Sequence, residues 1–88
     1  MRKKVWHYVY LARASDGAYY CGYALDPHAR LAAHNSGKGA KSLRGRRPAT
    51  LAFTKRCATK GEALRFEAAL KRRSHADKAR LARRWRGA

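Results

Sequence analysis

The chain contains only five acidic residues, so each can be assigned a role from its position. Four of them occupy predicted turn or helix-cap positions, where a carboxylate has a structural function: Asp16, Asp26, Glu62 and Asp77. Glu67 has no such function, because it lies in the middle of a predicted helix, beside an apolar row. A carboxylate at the edge of a buried surface needs a partner. That partner is either a neighbouring base, such as Arg65 or Lys71, or a divalent cation, since Mg²⁺ binds to one or two carboxylates with water and phosphate oxygens.

Arg30 and His34 are four residues apart on another predicted helix, so their side chains project from the same face. A guanidinium can hold a phosphate with two hydrogen bonds or stabilise charge that develops in a transition state. A histidine can transfer a proton near neutral pH. The alternative is a solvated basic face, which is common in a chain with 22 lysines and arginines.

Tyrosines are concentrated on two neighbouring predicted strands, at positions 8, 10, 19, 20 and 23. Cross-strand aromatic pairing accounts for at least some of them. The hydroxyls of Tyr10 and Tyr20 are candidates for orienting a water molecule or accepting its proton.

The charge of the chain predicts a polyanionic partner. Twenty-two lysines and arginines against five acids give a formal net charge of +17, which favours nucleic acid. A basic, glycine-rich segment over residues 38–48 is predicted to contact the nucleic-acid backbone through Lys38, Lys41, Arg44, Arg46 and Arg47. A phosphate-binding loop of the P-loop type is rejected for this segment, because it follows a helix and has Ala40 where that motif has glycine.

Length and composition predict one domain over residues 1–88, with 45% apolar residues available for a core. No apolar run approaches the roughly 20 residues of a membrane span, and no amphipathic helix indicates membrane binding. The two cysteines have no metal-ligand spacing, so a reduced, cytoplasmic protein without structural zinc is expected. A monomer without a small-molecule cofactor is favoured.

The coarse pattern predicts an α+β fold with element order ββαβαα and a small three-stranded antiparallel sheet flanked by helices. Strands are predicted over 5–14, 18–24 and 50–57. Helices are predicted to begin at the N-caps Asp26, Thr59 and Ser74, the first ending near 35–36 and the second near 73. A three-residue hairpin loop with Gly17 in the left-handed conformation would pair Ala12 with Tyr20 and place Tyr10, Tyr20 and Gly22 on one face.

Together these residues resemble the GIY-YIG nuclease family in its small stand-alone (UPF0213-like) form. The two name-giving tripeptides correspond to Tyr8-Val9-Tyr10 and Tyr20-Cys21-Gly22, followed by Arg30 in DPHARLAAHN and then His34. The segments HNSGKGAKSLRGRRP and EALRFEAALK are also similar, so the match covers roughly residues 5–77.

The resemblance implies metal-assisted hydrolysis of a phosphodiester. It implies one Mg²⁺ or Mn²⁺ held by Glu67, and a tyrosine, Tyr10 or Tyr20, that positions or deprotonates the attacking water. It also implies that Arg30 steadies the pentacovalent phosphate while His34 assists proton transfer. The function predicted is a DNA endonuclease with low sequence specificity, for which branched or damaged DNA are candidate substrates. The rival hypothesis is a basic DNA- or RNA-binding module on the same fold without turnover.

Overall fold

The computed structural model describes residues 4–38 and 45–87. The chain forms β1 (His7–Arg13), β2 (Tyr19–Ala24), α1 (Pro27–Asn35), β3 (Thr50–Cys57), α2 (Lys60–Lys71) and α3 (His75–Arg84). The three strands form an antiparallel sheet in the order β2-β1-β3, so β1 is central and β2 has one free edge. The predicted α+β class and the element order ββαβαα are confirmed.

Local capping signals account for where the helices begin. The Asp26 carboxylate accepts a hydrogen bond from the Ala29 amide and Pro27 opens α1. The Thr59 hydroxyl accepts from the Glu62 amide, and the Ser74 hydroxyl accepts from the Asp77 amide. All three N-caps lie where the sequence predicts them, although α2 ends at Lys71, before the predicted position 73.

The β1–β2 hairpin has the predicted register. Ala12 pairs with Tyr20 and Tyr10 pairs with Gly22. The loop closes through hydrogen bonds from the Ala14 amide to the Ala18 carbonyl and from the Gly17 amide to the Ala14 carbonyl. Gly17 has φ +87°, the left-handed conformation that this loop requires and that glycine adopts without steric cost.

The sheet is covered on both faces. On one face Val9, Leu11 and Cys21 pack with Ala63 and Leu70 of α2. On the other face the cluster contains Tyr10, Ala12, Ala24, Ala49, Tyr20, Leu31 and Leu51. The two faces have different contents because successive strand residues point to opposite sides.

An irregularity in the pairing of β1 with β3 keeps the side chains of the two sheet faces apart. Leu11 pairs with Phe53 and Ala12 pairs with Leu51, so β3 has one extra residue at this point, Ala52. A bulge of this kind shifts the register of the bulged strand by one residue. Leu51 can therefore join the Tyr10 face while Phe53 stays on the α2 face.

Cys21 and Cys57 are both buried and free. In the described part of the chain, no helix has the length and apolar character needed to cross a membrane.

Candidate active site

Tyr10 occupies the centre of the site and owes its position to a glycine. Its side chain is fully buried, and the residue opposite it on β2 is Gly22. A Cβ atom on Gly22 would lie 2.4 Å from the Tyr10 hydroxyl oxygen and 2.5 Å from its ring carbon Cζ. The absence of a side chain at Gly22 is therefore what allows the Tyr10 ring to lie across β2.

Three rings meet around the Tyr10 hydroxyl. This oxygen and Nε2 of His34 share a buried hydrogen bond of 3.0 Å. The ring centroid of Tyr20 lies 6.2 Å from that of Tyr10 and 5.4 Å from that of His34, the latter edge to face. The predicted shared face of Tyr10, Tyr20 and Gly22 is confirmed, and α1 brings His34 to it. We call Tyr10, Tyr20 and His34 the ring cluster.

Burial controls the protonation of the ring cluster. It raises the pKa of the Tyr10 hydroxyl to about 12, with Tyr20 and Glu67 adding to the rise and the Arg30 charge opposing it. His34 is only 3% exposed, and burial together with the Arg30 charge lowers the pKa of its imidazole. Near neutral pH Tyr10 is therefore protonated and His34 uncharged.

The other predicted site residues are more exposed than this buried centre. Arg30 is exposed on α1, and its charge acts on both Tyr10 and His34. Glu67 acts on the Tyr10 hydroxyl from α2, on the opposite side of the sheet. The structure thus brings Tyr10, Tyr20 and His34 into contact, whereas Arg30 and Glu67 act on this cluster through their charge; Tyr20, Arg30 and Glu67 are the members with accessible surface.

Glu67 has the basic partner that the sequence offers as one alternative. Lys71 Nζ lies 3.4 Å from Glu67 Oε2, one helical turn further along α2. The Glu67 side chain is 17% exposed and that of Lys71 is 58% exposed. Ion pairs with an exposed lysine contribute only about 0.2–1 kcal/mol, so Lys71 can leave Glu67 at small energetic cost.

Glu67 offers one carboxylate, which suits Mg²⁺ or Mn²⁺ but cannot by itself form a metal site made of protein ligands alone. Among the described residues no group of three or more His, Cys, Asp or Glu side chains could hold a metal. A single carboxylate still suits Mg²⁺, which keeps several waters and takes further oxygens from substrate phosphates. The Glu67 carboxylate is therefore the group of the site that would hold such an ion.

Beside the ring cluster lies a cleft of about 280 Å³, which we call the basic cleft. Tyr20 and Cys21 of β2 form part of its wall. Arg46, Lys71 and Lys78 line it with positive charge. Of the three accessible site residues, Tyr20 therefore lines the cleft and Glu67 is linked to it through the ion pair with Lys71.

The predicted nucleic-acid-binding residues have different surroundings. Lys38 is exposed at the end of α1. Arg46 is exposed, with its Nε 3.3 Å from an Asp16 carboxylate oxygen, and it lines the basic cleft. Arg47 Nη1 donates to the Asn35 carbonyl at 3.4 Å. Lys41 and Arg44 lie outside the described residues.

Two features of the site were not identified from the sequence. The Asn35 amide donates to the Ala49 carbonyl at 2.9 Å and its oxygen accepts from the Ala49 amide at 2.7 Å, which ties the end of α1 to the start of β3. The only available signal was a lone asparagine in the last helical turn. Lys78 gave no signal at all, because a lysine on α3 looks like any other surface base.

Comparison with known proteins shows which family the chain is similar to. Residues 6–82 match the model of the GIY-YIG catalytic domain. The chain is 48% identical to a UPF0213 protein of Halobacterium salinarum over 85% of its own length and 97% of the relative's. It is 48% identical to a UPF0213 protein of Streptococcus pneumoniae over 81% of its length and 72% of the relative's.

A solved structure extends the comparison to the fold. The solution NMR structure of a UPF0213 protein from Bacillus halodurans shares 42% sequence identity with a TM-score of 0.56, covering 89% of this chain and 83% of that one. The family model covers residues 6–82, and the relatives are up to 48% identical to the chain. The protein therefore belongs to the GIY-YIG family, which is part of a superfamily of nucleases.

Proposed function

We propose that the protein is a metal-dependent endonuclease that hydrolyses DNA phosphodiester bonds with low sequence specificity. The observation that carries this proposal is the buried Tyr10–His34 hydrogen bond with the Tyr20 ring packed beside both rings, in a chain of formal charge +17 whose Arg30 and Glu67 charges both act on the Tyr10 hydroxyl. A tyrosine hydroxyl, a guanidinium and a carboxylate together supply the groups that phosphodiester hydrolysis requires.

Burial divides the roles within the ring cluster. Tyr10 is fully buried and His34 nearly so, so neither side chain has the surface to contact a nucleic-acid strand. Tyr20 is half-buried and lines the basic cleft. We therefore assign to Tyr20 the contact with the attacking water, and to the hydrogen-bonded Tyr10 and His34 the positioning of the Tyr20 ring that packs beside them.

Arg30 and Glu67 act on the phosphate. The exposed Arg30 guanidinium can donate two parallel hydrogen bonds to phosphate oxygens and stabilise the charge that develops on them. The Glu67 carboxylate would hold Mg²⁺ or Mn²⁺. When bound, such an ion polarises the phosphoryl oxygens as a Lewis acid.

The test is cleavage of labelled single-stranded, duplex and branched DNA and of RNA, each with Mg²⁺, Mn²⁺ or EDTA. The variant is Glu67→Gln, which keeps the shape of the side chain and removes its charge. Glu62→Gln on the same helix is the matched control, because Glu62 accepts a hydrogen bond from the Ala58 amide and belongs to the N-terminal cap of α2. Metal-dependent cleavage that is lost in Glu67→Gln and kept in Glu62→Gln is expected, with binding nearly unchanged in both.

Equal cleavage by the wild type and Glu67→Gln would contradict the assignment of Glu67. Absence of cleavage by every form, with salt-sensitive binding intact, would favour the second candidate, a basic DNA- or RNA-binding module. The Lys71–Glu67 ion pair favours that candidate, because Lys71 neutralises the carboxylate that a metal would use.

For the chain as a whole we propose a monomer of one domain that acts on DNA in the cytoplasm. The basic segment after α1 would contact the DNA backbone. Arg46→Ala and Lys41→Ala should each weaken binding and reduce the slope of log K against log salt by about one. Unchanged affinity in both variants would contradict this role of the segment.

A further inference from the structure

Three cations from three separate segments converge on the basic cleft. Arg46 precedes β3, Lys71 is the last residue of α2, and Lys78 lies on α3. Burial raises the pKa of the Cys21 thiol, and the charges of Lys78 and Lys71 both oppose that rise. Both ammonium groups therefore act on the same residue of β2.

The balance of charge in the cleft favours an anion. Arg46 has Asp16 as a partner and Lys71 has Glu67. Over residues 4–38 and 45–87, Lys78 is half-buried and forms no ion pair. A partly desolvated ammonium without a counter-charge is stabilised by any anion that can enter the cleft.

We propose that the basic cleft binds a phosphate group of the nucleic-acid strand next to the phosphate that is cut, through Arg46, Lys71 and Lys78. This inference rests on the proposed nuclease function. Two residues link the cleft to the reacting centre, since Tyr20 belongs to both the cleft and the ring cluster and Lys71 pairs with Glu67. A phosphate in the cleft would therefore lie beside Tyr20 and Lys71 and so set the register of the strand.

The shared use of Lys71 couples the cleft to Glu67. Lys71 Nζ is 3.4 Å from the Glu67 carboxylate and 58% of its side chain is exposed, so it can turn towards a phosphate in the cleft. That movement leaves the carboxylate available to a cation. Phosphate binding and metal binding then strengthen each other, and by linkage the effect is the same in both directions.

Binding of a short DNA duplex in EDTA tests the cleft without cleavage. Lys78→Gln is compared with Lys55→Gln, which removes the same charge from β3, at the other edge of the sheet. Lys78→Gln should reduce the slope of log K against log salt by about one and weaken binding about eightfold at 0.1 M salt, the effect of one lost phosphate contact. Lys55→Gln should have a clearly smaller effect. Equal effects of the two variants would overturn the proposal.

NMR titrations of the ¹⁵N-labelled protein distinguish the sources of the phosphate. A DNA duplex and inorganic phosphate are added separately, and the backbone amides of residues 18–21 are followed. Shifts with the duplex that disappear in Lys78→Gln support a strand phosphate. Shifts with inorganic phosphate alone, none with the duplex, would overturn the proposal in favour of a free-anion site.

Mn²⁺ binding, followed by EPR, tests the coupling. Lys71→Met should raise the Mn²⁺ affinity of the free protein by a factor of about 1.4 to 5, the fold-change that corresponds to the loss of an exposed ion pair. It should also reduce the gain in Mn²⁺ affinity that an uncleavable duplex produces in the wild type. Unchanged affinities would overturn the coupling.

Binding that depends on Lys78 without cleavage would contradict the nuclease function alone, whereas cleavage with equal effects of Lys78→Gln and Lys55→Gln would contradict the cleft alone.

Discussion

Replacement of Gly22 by alanine should displace Tyr10 and destabilise the protein. The new Cβ would lie 2.4 Å from the Tyr10 hydroxyl oxygen, 2.5 Å from Cζ and 2.7 Å from Cε1. Ordinary contacts begin near 3.4 Å, so the ring or the strand must move by about 1 Å. Tyr10 is fully buried, so its ring can move only by displacing the side chains packed around it.

The cost can be estimated from two contributions. Overpacking of a buried site costs about 1–3 kcal/mol. Disruption of the 3.0 Å Tyr10–His34 hydrogen bond adds about 1 kcal/mol, which the reduced entropy of the unfolded alanine chain roughly offsets. A net loss of about 1–3 kcal/mol lowers the Tm of a domain of this size by roughly 5–20 °C.

Thermal unfolding followed by circular dichroism measures this loss, and Gly61→Ala is the matched control. Gly61 lies in α2, where the nearest atom to a new Cβ is Arg65 Nη1 at 3.4 Å, so alanine there should stabilise by about 0.4–1 kcal/mol. In a Tyr10→Leu background, Gly22→Ala should cost clearly less, because the atoms it meets are gone. A Gly22→Ala protein as stable as Gly61→Ala would refute the reasoning.

Three further outcomes are expected. Asn35→Ala removes both hydrogen bonds to Ala49 and should lower the free energy of unfolding, measured by urea titration, by about 2–3 kcal/mol. A loss below about 0.5 kcal/mol would show that these hydrogen bonds between α1 and the start of β3 contribute little to stability. Burial lowers the pKa of His34, so protons bind better to the unfolded chain; stability should fall as the pH drops below about 6.5, and His34→Gln should flatten that dependence. The same slope in both proteins would contradict this. The Cys21 thiol, whose pKa burial raises, should react with a thiol reagent at pH 8 far more slowly in the native protein than in denaturant; similar rates would contradict its burial.

The order and the limits of the elements could be predicted because their signals are local. The pairs Thr59/Glu62 and Ser74/Asp77 each satisfy backbone amides within a few residues, so these signals need no contact from a distant part of the chain. The hairpin was predictable for the same reason, since Gly17 permits the one loop conformation that fixes the register. That register in turn placed Tyr10 and Tyr20 on one face.

Tertiary structure decided what those residues can do. From the sequence Tyr10 and Tyr20 were equivalent candidates, but packing under α1 buries Tyr10 completely and leaves Tyr20 accessible beside the basic cleft. Packing of α2 on the sheet likewise leaves the Glu67 carboxylate 17% exposed, with Lys71 Nζ 3.4 Å away as one of the partners that the sequence offers. The burial of a side chain depends on contacts from segments far apart in the chain, and burial in turn shifts its pKa and so decides its protonation state. The sequence by itself therefore determined which chemical groups are present and on which elements, and only the folded structure decided which of them are accessible, charged and paired.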